Sequence, residues 1–188
     1  MRRIACAVVE QATEEHVRLI NLAYRSPPNH LNSWTGEGHL VTGARIVSPD
    51  SLNKELRSSP DIRMLEARLD DRIIGSLKMH WLQEKHTVEL GMINIDPALQ
   101  GQGYGKQLIG HAEELSVQLW PETKAFELLV LKKRSELISF YQRLGYADTG
   151  ERVPFPPSSA SVGRPTEHAL KEYDGQLEFA ILRKELRN

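Results

Sequence analysis

The residues from Ile62 to Leu119 constrain the fold more than any others. "IRMLEARLDDRIIGSLKMHWLQEKHTVELGMINID" holds three apolar runs separated by very short turns, one at Asp70-Asp71 and one near Glu84-Lys85. Turns that short join antiparallel neighbours, because a parallel return needs a crossover of a dozen or more residues. The third run breaks at Asp96-Pro97 and passes through Gly101, Gly103 and Gly105 into a helical pattern. That helix is expected from about Gly103 to Leu119, with Leu108, Ile109, Ala112, Leu115 and Leu119 on one stripe and Pro121 beyond its end. An antiparallel meander therefore feeds directly into a glycine-crowded turn and a helix start.

The flanking segments complete a mixed fold. "IACAVVE" (4–10) reads as a strand, and Thr13 is placed to cap a helix, "TEEHVRLINLAY", with acidic residues in its first turn and Val17, Ile20 and Leu22 on its apolar side. "RSPPNH" stops that helix. The loop "LNSWTGEGHLVTGARIVSPD" carries Trp34, Leu40 and Val41 and is expected to be ordered, and Asp50 or Ser51 can cap the short helix "SLNKELR". After the glycine turn come a strand at 125–131, a helix in "SELISFYQRLGY" ending at Gly145, and a strand in "YADTGER". A polar, proline-bearing insertion at about 154–176, a candidate lid, precedes the closing strand "LEFAILRKEL". The order βααβββαβαββ predicts an α/β fold of the α+β type. One domain over 1–188 is expected, a mixed, mostly antiparallel twisted sheet of about seven strands with about four helices.

Charge and cysteine content narrow the function classes. With 24 Lys and Arg against 25 Asp and Glu, the net charge of -1 lacks the basic excess usual for nucleic-acid or anionic-membrane binding. The lone Cys6 allows no internal disulfide and reads as a small apolar strand residue, which suits a reducing, cytoplasmic setting. No run approaches the ~20 apolar residues of a membrane span. The 7 histidines are scattered, with no H-E-x-x-H and no Cys/His cluster, so no metal is expected.

The glycine turn carries the chemistry. Alternating glycines leave backbone N–H groups uncovered by Cβ atoms, and the helix start adds its unpaired donors and positive dipole end, which together suit a pyrophosphate. The spacing is G-x-G-x-G, not the G-x-G-x-x-G of a dinucleotide fold. It is also one residue short of a Walker A loop, with Gln107 where the magnesium-binding hydroxyl would stand.

"QGQGYG" is similar to the Q/R-x-x-G-x-G/A loop of the GNAT family of N-acetyltransferases, which bind acetyl-coenzyme A. "ELGMINIDP" resembles that family's fourth strand and "FELLVLKKRSELISFYQRLGYADTGE" its second signature region. The resemblance covers essentially the whole chain and is strongest over about 62–151. It implies that the fourth strand splays from its neighbour at a bulge and offers the backbone of Ile93, Asn94 and Ile95 to the pantetheine arm. It also implies a pyrophosphate site built from Gln100, Gly101, Gln102, Gly103, Tyr104, Gly105 and Lys106. Tyr141 holds the position that often protonates the leaving sulfur, though it also fits its helix's core stripe. Glu89 holds the position of the base for the amine, with His80, His86 or water as alternatives. Where the family often has Asn and Ala, this chain has Arg134 and Leu137, and Arg134 is a candidate for reaching a phosphate.

By the same resemblance, the acceptor pocket falls to the loop containing Trp34 and Glu37, an aromatic and an anionic wall for a cationic amine, and to the insertion with Tyr173 and Asp174 as weaker candidates. The implied reaction is acetyl transfer from acetyl-CoA to a small-molecule or peptide primary amine by direct attack in a ternary complex. A non-catalytic acyl-CoA-binding module of the same fold stays open, and a homodimer through sheet edges is expected.

Overall fold

The computed structural model describes residues 2–25, 33–156 and 167–186. The chain runs β1 (Ala5–Val8), α1 (Glu14–Arg25), β2 (Val41–Thr42), α2 (Pro49–Leu56), β3 (Ile62–Leu69), β4 (Arg72–Leu82), β5 (Thr87–Ile95), α3 (Tyr104–Leu119), β6 (Ala125–Leu131), α4 (Ser135–Arg143), β7 (Ala147–Pro154), β8 (His168–Ala169) and β9 (Glu178–Glu185). Seven strands form one sheet in the order β1-β3-β4-β5-β6-β9-β7, while β2 pairs with β8. All neighbours are antiparallel except β5 and β6, which are joined through α3. The expected order and meander are present. Asp70 and Asp71 take left-handed φ of 49° and 64°, the geometry of a two-residue hairpin turn.

Helices cover both faces of the sheet. Met64 packs with Ile20, Ala23, Tyr24 and Leu52 of α1 and α2, whereas Leu65 joins the larger core under α3 and α4. Successive strand side chains point to opposite faces, so these neighbours report the two layers. Three local expectations are corrected. Ser48, not Asp50 or Ser51, is the N-cap of α2, because Pro49 takes the first helical position and leaves the hydroxyl before it to accept from Ser51 N. The buried stripe of α3 runs through Tyr104, Leu108, Ala112 and Ser116, and Leu119 is exposed. The Thr13 hydroxyl takes no backbone N–H of the next turn; Thr13 N donates to Nδ1 of His16 and Thr13 Oγ1 lies 2.9 Å from the same nitrogen, while His16 Nε2 lies 2.9 Å from Glu66.

Of the insertion, 157–166 lies outside the described residues, and with it the expected lid. The arms on either side are packed. Phe155 N donates to Leu177 O, and Ala169 joins Leu40, Val41 and Phe179 in a separate apolar cluster.

One irregularity positions everything that follows. Between the pairs Ser76↔Asn94 and Lys78↔Gly91, β5 carries one residue more than β4, and Met92 adopts φ 49°. This bulge turns β5 away from β6, so their pairing covers only Thr87, Val88 and Glu89 against Ala125, Phe126 and Glu127. Asn94 is fully buried and clamps the bulge, its Nδ2 donating to Ser76 O, Ser76 Oγ and Met92 O. Gly75 lets the bent strand close in, since a Cβ there would meet Asn94 O at 2.2 Å. The opposing atom is backbone and cannot swing aside. Gly75→Ala is therefore expected to destabilise the protein by about 3 kcal/mol or more, near the top of the overpacking range. The urea midpoint would show it, and an unchanged midpoint would mean that β5 is free to move.

Candidate active site

The bend in β5 opens a cleft of about 450 Å³ between β5 and α3 on one side and α4 on the other. Its walls include Ile93, Asn94, Ile95, Ile109, Leu137, Phe140 and Tyr141, and its floor is the turn Gly101–Lys106. Gly101 and Gly103 have φ of 77° and 82°, a region that disfavours any side chain. The first helical bond runs from Gln107 N to Gly103 O, and no N–H from Gly101 to Lys106 donates to another described residue. Six backbone donors at the N-terminus of a 16-residue helix are thus left without an internal partner, and five of their residues line the cleft, an arrangement that suits an oxyanion without metal or side-chain charge.

The predicted cofactor residues divide by what their side chains do. Gly101, Gly103 and Gly105 offer only backbone, and Lys106 lines the cleft as an exposed cation. Tyr104 also lines the cleft, but its ring is packed in the core. Gln102 is exposed and does not line the cleft. Gln100 is turned inward: its amide donates to Ile95 O and Ser33 Oγ and its carbonyl accepts from Trp34 N. It is a strut between loops, not a phosphate ligand. The carbonyl of Ile93 likewise already accepts from Tyr24 Oη at 3.1 Å. Arg134 is corrected outright. It is 4% exposed and donates to Gly36 O, Trp34 O and Glu136, so its guanidinium braces the 33–37 loop from behind instead of reaching a phosphate.

A second pocket of about 80 Å³ lies deeper, on the β6 side of the split. It shares Ile93, Leu137 and Tyr141 with the cleft and adds Tyr24, Glu37, Arg45, Lys78 and Glu89. Tyr141 therefore stands in the partition between the two spaces. Its ring is 4% exposed and packs edge-on against Phe140 and Tyr146, so the core-stripe reading and the cavity position hold together. The hydroxyls of Tyr24 and Tyr146 are committed to Ile93 O and Glu113, whereas that of Tyr141 bonds no described residue. Burial, reinforced by Tyr24 and Glu37, pushes the Tyr141 phenol well above its ordinary value. Glu89, the last residue of β5 paired to β6, lines the deeper pocket, and its carboxylate makes no hydrogen bond or ion pair with a described residue.

Other predicted residues land elsewhere. Trp34 lines the larger cleft beside Gln100 and Phe140, not the deeper pocket, because the 33–37 loop spans both walls. Glu37 does line the deeper pocket, but it is buried and paired with Arg25 at 3.2 Å. His80 sits opposite Glu89 on β4 without lining either space, and His86 lies beyond the far end of β5, packed on Trp81. Tyr173 lies under Lys133 and, like Asp174, lines neither space. Burial pushes the Cys6 thiol up to about 11, which removes it as a nucleophile at neutral pH. Among the described residues no three His, Cys, Asp or Glu side chains converge as a metal set, and no helix is long and apolar enough to cross a membrane.

Sequence reasoning missed the wall behind Glu37. Arg25 also pairs with Glu167, and Glu167 receives Arg45 Nη1 on both oxygens at 2.9 and 3.0 Å. All four side chains are at most 12% exposed. Burial alone would lower the Arg45 pKa, but Glu167 and Glu37 raise it overall, so the guanidinium stays charged. These residues stand at positions 25, 37, 45 and 167, too far apart for any motif to link them.

Residues 29–146 match the model of the acetyltransferase (GNAT) family. Among curated proteins nothing matches the chain. Solved structures share the fold over nearly its full length. A Bacillus subtilis acetyltransferase in complex with CoA is 17% identical, with 98% of this chain and 100% of that one covered at a TM-score of 0.65. YncA of Salmonella typhimurium, with its cofactor acetyl-CoA, is 15% identical, with 100% and 96% covered at 0.63. A chimera of the Vibrio cholerae spermidine N-acetyltransferase is 14% identical, with 98% and 96% covered at 0.62. With a family match over more than half of its residues and a glycine turn opening the cleft of a split sheet, this chain belongs to the GNAT acetyltransferase family.

Proposed function

We propose that this protein transfers the acetyl group of acetyl-CoA to a primary amine by direct attack in a ternary complex. The observation that carries the reading is the shared partition. A cleft floored by free N–H donors and a smaller charged pocket meet at Tyr141, so a thioester in the first would face an amine in the second. The coenzyme bound in two of the similar structures supports the choice of donor.

In this reading the pyrophosphate of acetyl-CoA lies on the N–H groups of Gly101–Lys106 and the pantetheine arm runs along Ile93 to Ile95. The acceptor ammonium yields a proton to Glu89, directly or through water. The amine nitrogen bonds to the thioester carbon, the C–S bond breaks, and the proton that the new amide nitrogen gives up is balanced by the one the sulfur gains on the side of Tyr141. Because the phenol's pKa is raised, Tyr141 remains a donor as pH rises through the working range. A fall in rate on the alkaline side would therefore not come from its ionisation.

Acetyl-CoA at a hundredfold excess over Kd is expected to stabilise the protein by about 2.7 kcal/mol, or roughly 5–10 °C in Tm. Gly105→Val should abolish that shift. Gly105 lines the cleft with a helical backbone, and its absent Cβ would have nothing nearer than Ile95 Cγ1 at 3.9 Å, so the unliganded fold tolerates the change. No shift in the wild type would remove acetyl-CoA as the donor.

Glu89→Gln and Tyr141→Phe are each expected to lower kcat by about 100-fold or more, measured as thiol release, with the acetyl-CoA thermal shift retained. Wild-type turnover in both would leave the assigned roles without support. Binding of acetyl-CoA with no turnover over a broad amine panel would favour the non-catalytic acyl-CoA-binding module.

A further inference from the structure

The charges around the deeper pocket come in opposed pairs. Glu37 and Glu89 bring two carboxylates to its lining, and Arg45 and Lys78 bring two cations. Lys78 is held by Glu55 at 2.5 Å, and Glu37 by Arg25. Glu89 and part of Arg45 are left over. Arg45 uses only Nη1 toward Glu167, and its plane lies over the Tyr24 ring at 5.1 Å. Its Nε and Nη2 donate to no described residue, yet they belong to a side chain only 12% exposed. Those two nitrogens share one edge of the guanidinium, the fork that receives a carboxylate in two parallel hydrogen bonds.

We propose that the acceptor is an amino acid or a close analogue, its amine facing Glu89 and Tyr141 and its carboxylate or similar oxyanion docked on the free edge of Arg45. The proposal rests on acetyl transfer between the two cavities and adds the class of acceptor. A plain alkylamine would leave the Arg45 edge without a partner in a confined space, which costs binding. A polyamine's second ammonium would meet the Arg45 edge as donor against donor, with no acceptor there to receive it. The volume fits a compact head group: about 80 Å³ is several times the roughly 10–15 Å³ that one water needs. Glu167 acts here as a positioning residue, since it holds Arg45 by Nη1 and so leaves the opposite edge of this pocket-lining side chain without a partner among the described residues.

The test compares α-amino acids with their own decarboxylated amines, leucine with isopentylamine and tyrosine with tyramine, beside spermidine. Thiol release gives kcat/KM, and calorimetry on CoA-saturated protein gives binding without turnover. Amino acids are expected to exceed their amines by at least about tenfold. Arg45→Lys keeps a cation against Glu167 but loses the fork, and should collapse that ratio toward one by raising the amino-acid KM on the order of 10–100-fold. Because the wild-type ratio needs no variant, a poorly folded Arg45→Lys would not spare the proposal. Amines or spermidine turned over as well as amino acids would overturn the acceptor class and leave acetyl transfer standing. Amino acids neither bound nor acetylated would also overturn it. Loss of the acetyl-CoA thermal shift itself would instead strike the reading beneath.

Discussion

The parting of β5 from β6 is the constraint on which the rest depends. A sheet normally satisfies its backbone by pairing every strand along its length, and an unpaired inner edge is a cost that something must offset. Here the offset is local and specific. The bulge at Met92 aims β5 outward, Asn94 satisfies carbonyls on both strands, and Gly75 removes the Cβ that would hold them apart. Side chains of Tyr24 and Gln100 then occupy the carbonyls of Ile93 and Ile95. A left-handed methionine is strained by about 1–3 kcal/mol and persists only where its surroundings over-determine it. The three Asn94 bonds are that surrounding. The cleft is thus built into the backbone and does not wait for a ligand to open it.

The second device is the buried charge set beside the deeper pocket. Ion pairs taken out of water seldom add net stability, because desolvation offsets attraction. What they add here is position. Glu167 ties Arg25 at the end of α1 to Arg45 beyond β2, and so fixes the wall that carries Glu37. Arg134 does the same from the other side, gripping the carbonyls of Trp34 and Gly36. Arg25 and Arg134 serve as braces, and Arg45 keeps two donors that bond no described residue.

Local signals in the sequence were legible and distributed ones were not. The meander followed from turn length, and the phosphate-type turn from glycines whose spacing survives in φ at Gly101 and Gly103. Glu89 and Tyr141 followed from resemblance, and the structure brings both to one pocket. Trp34 and Glu37, expected as two walls of one pocket, line different spaces because the 33–37 loop borders both, a distinction that needs three dimensions. Arg134 was misjudged because a guanidinium's partners here are carbonyls about 100 positions away. The buried tetrad had no periodic or motif signal at all. Asn94 did leave one: an amide in an apolar strand must bond backbone or be expelled to water.

The burial of Tyr141 bears directly on the role proposed for it. A phenol raised well above its ordinary pKa is a poorer acid than an ordinary thiol, near 8.5, so full proton transfer to a solvated thiolate would run uphill. In the proposed reaction the sulfur would leave at the same apolar partition, among Ile93, Leu137 and Tyr141, and burial raises thiols too, as half-buried Cys6 illustrates. Both members of the pair would then be shifted in the same direction by the same surroundings. In that setting Tyr141 need only hydrogen-bond the charge developing on sulfur, and a donor fixed in place before reaction does so without reorganisation. The free hydroxyl is therefore best read through its immobility: packing on Phe140 and Tyr146 holds it where the charge would appear.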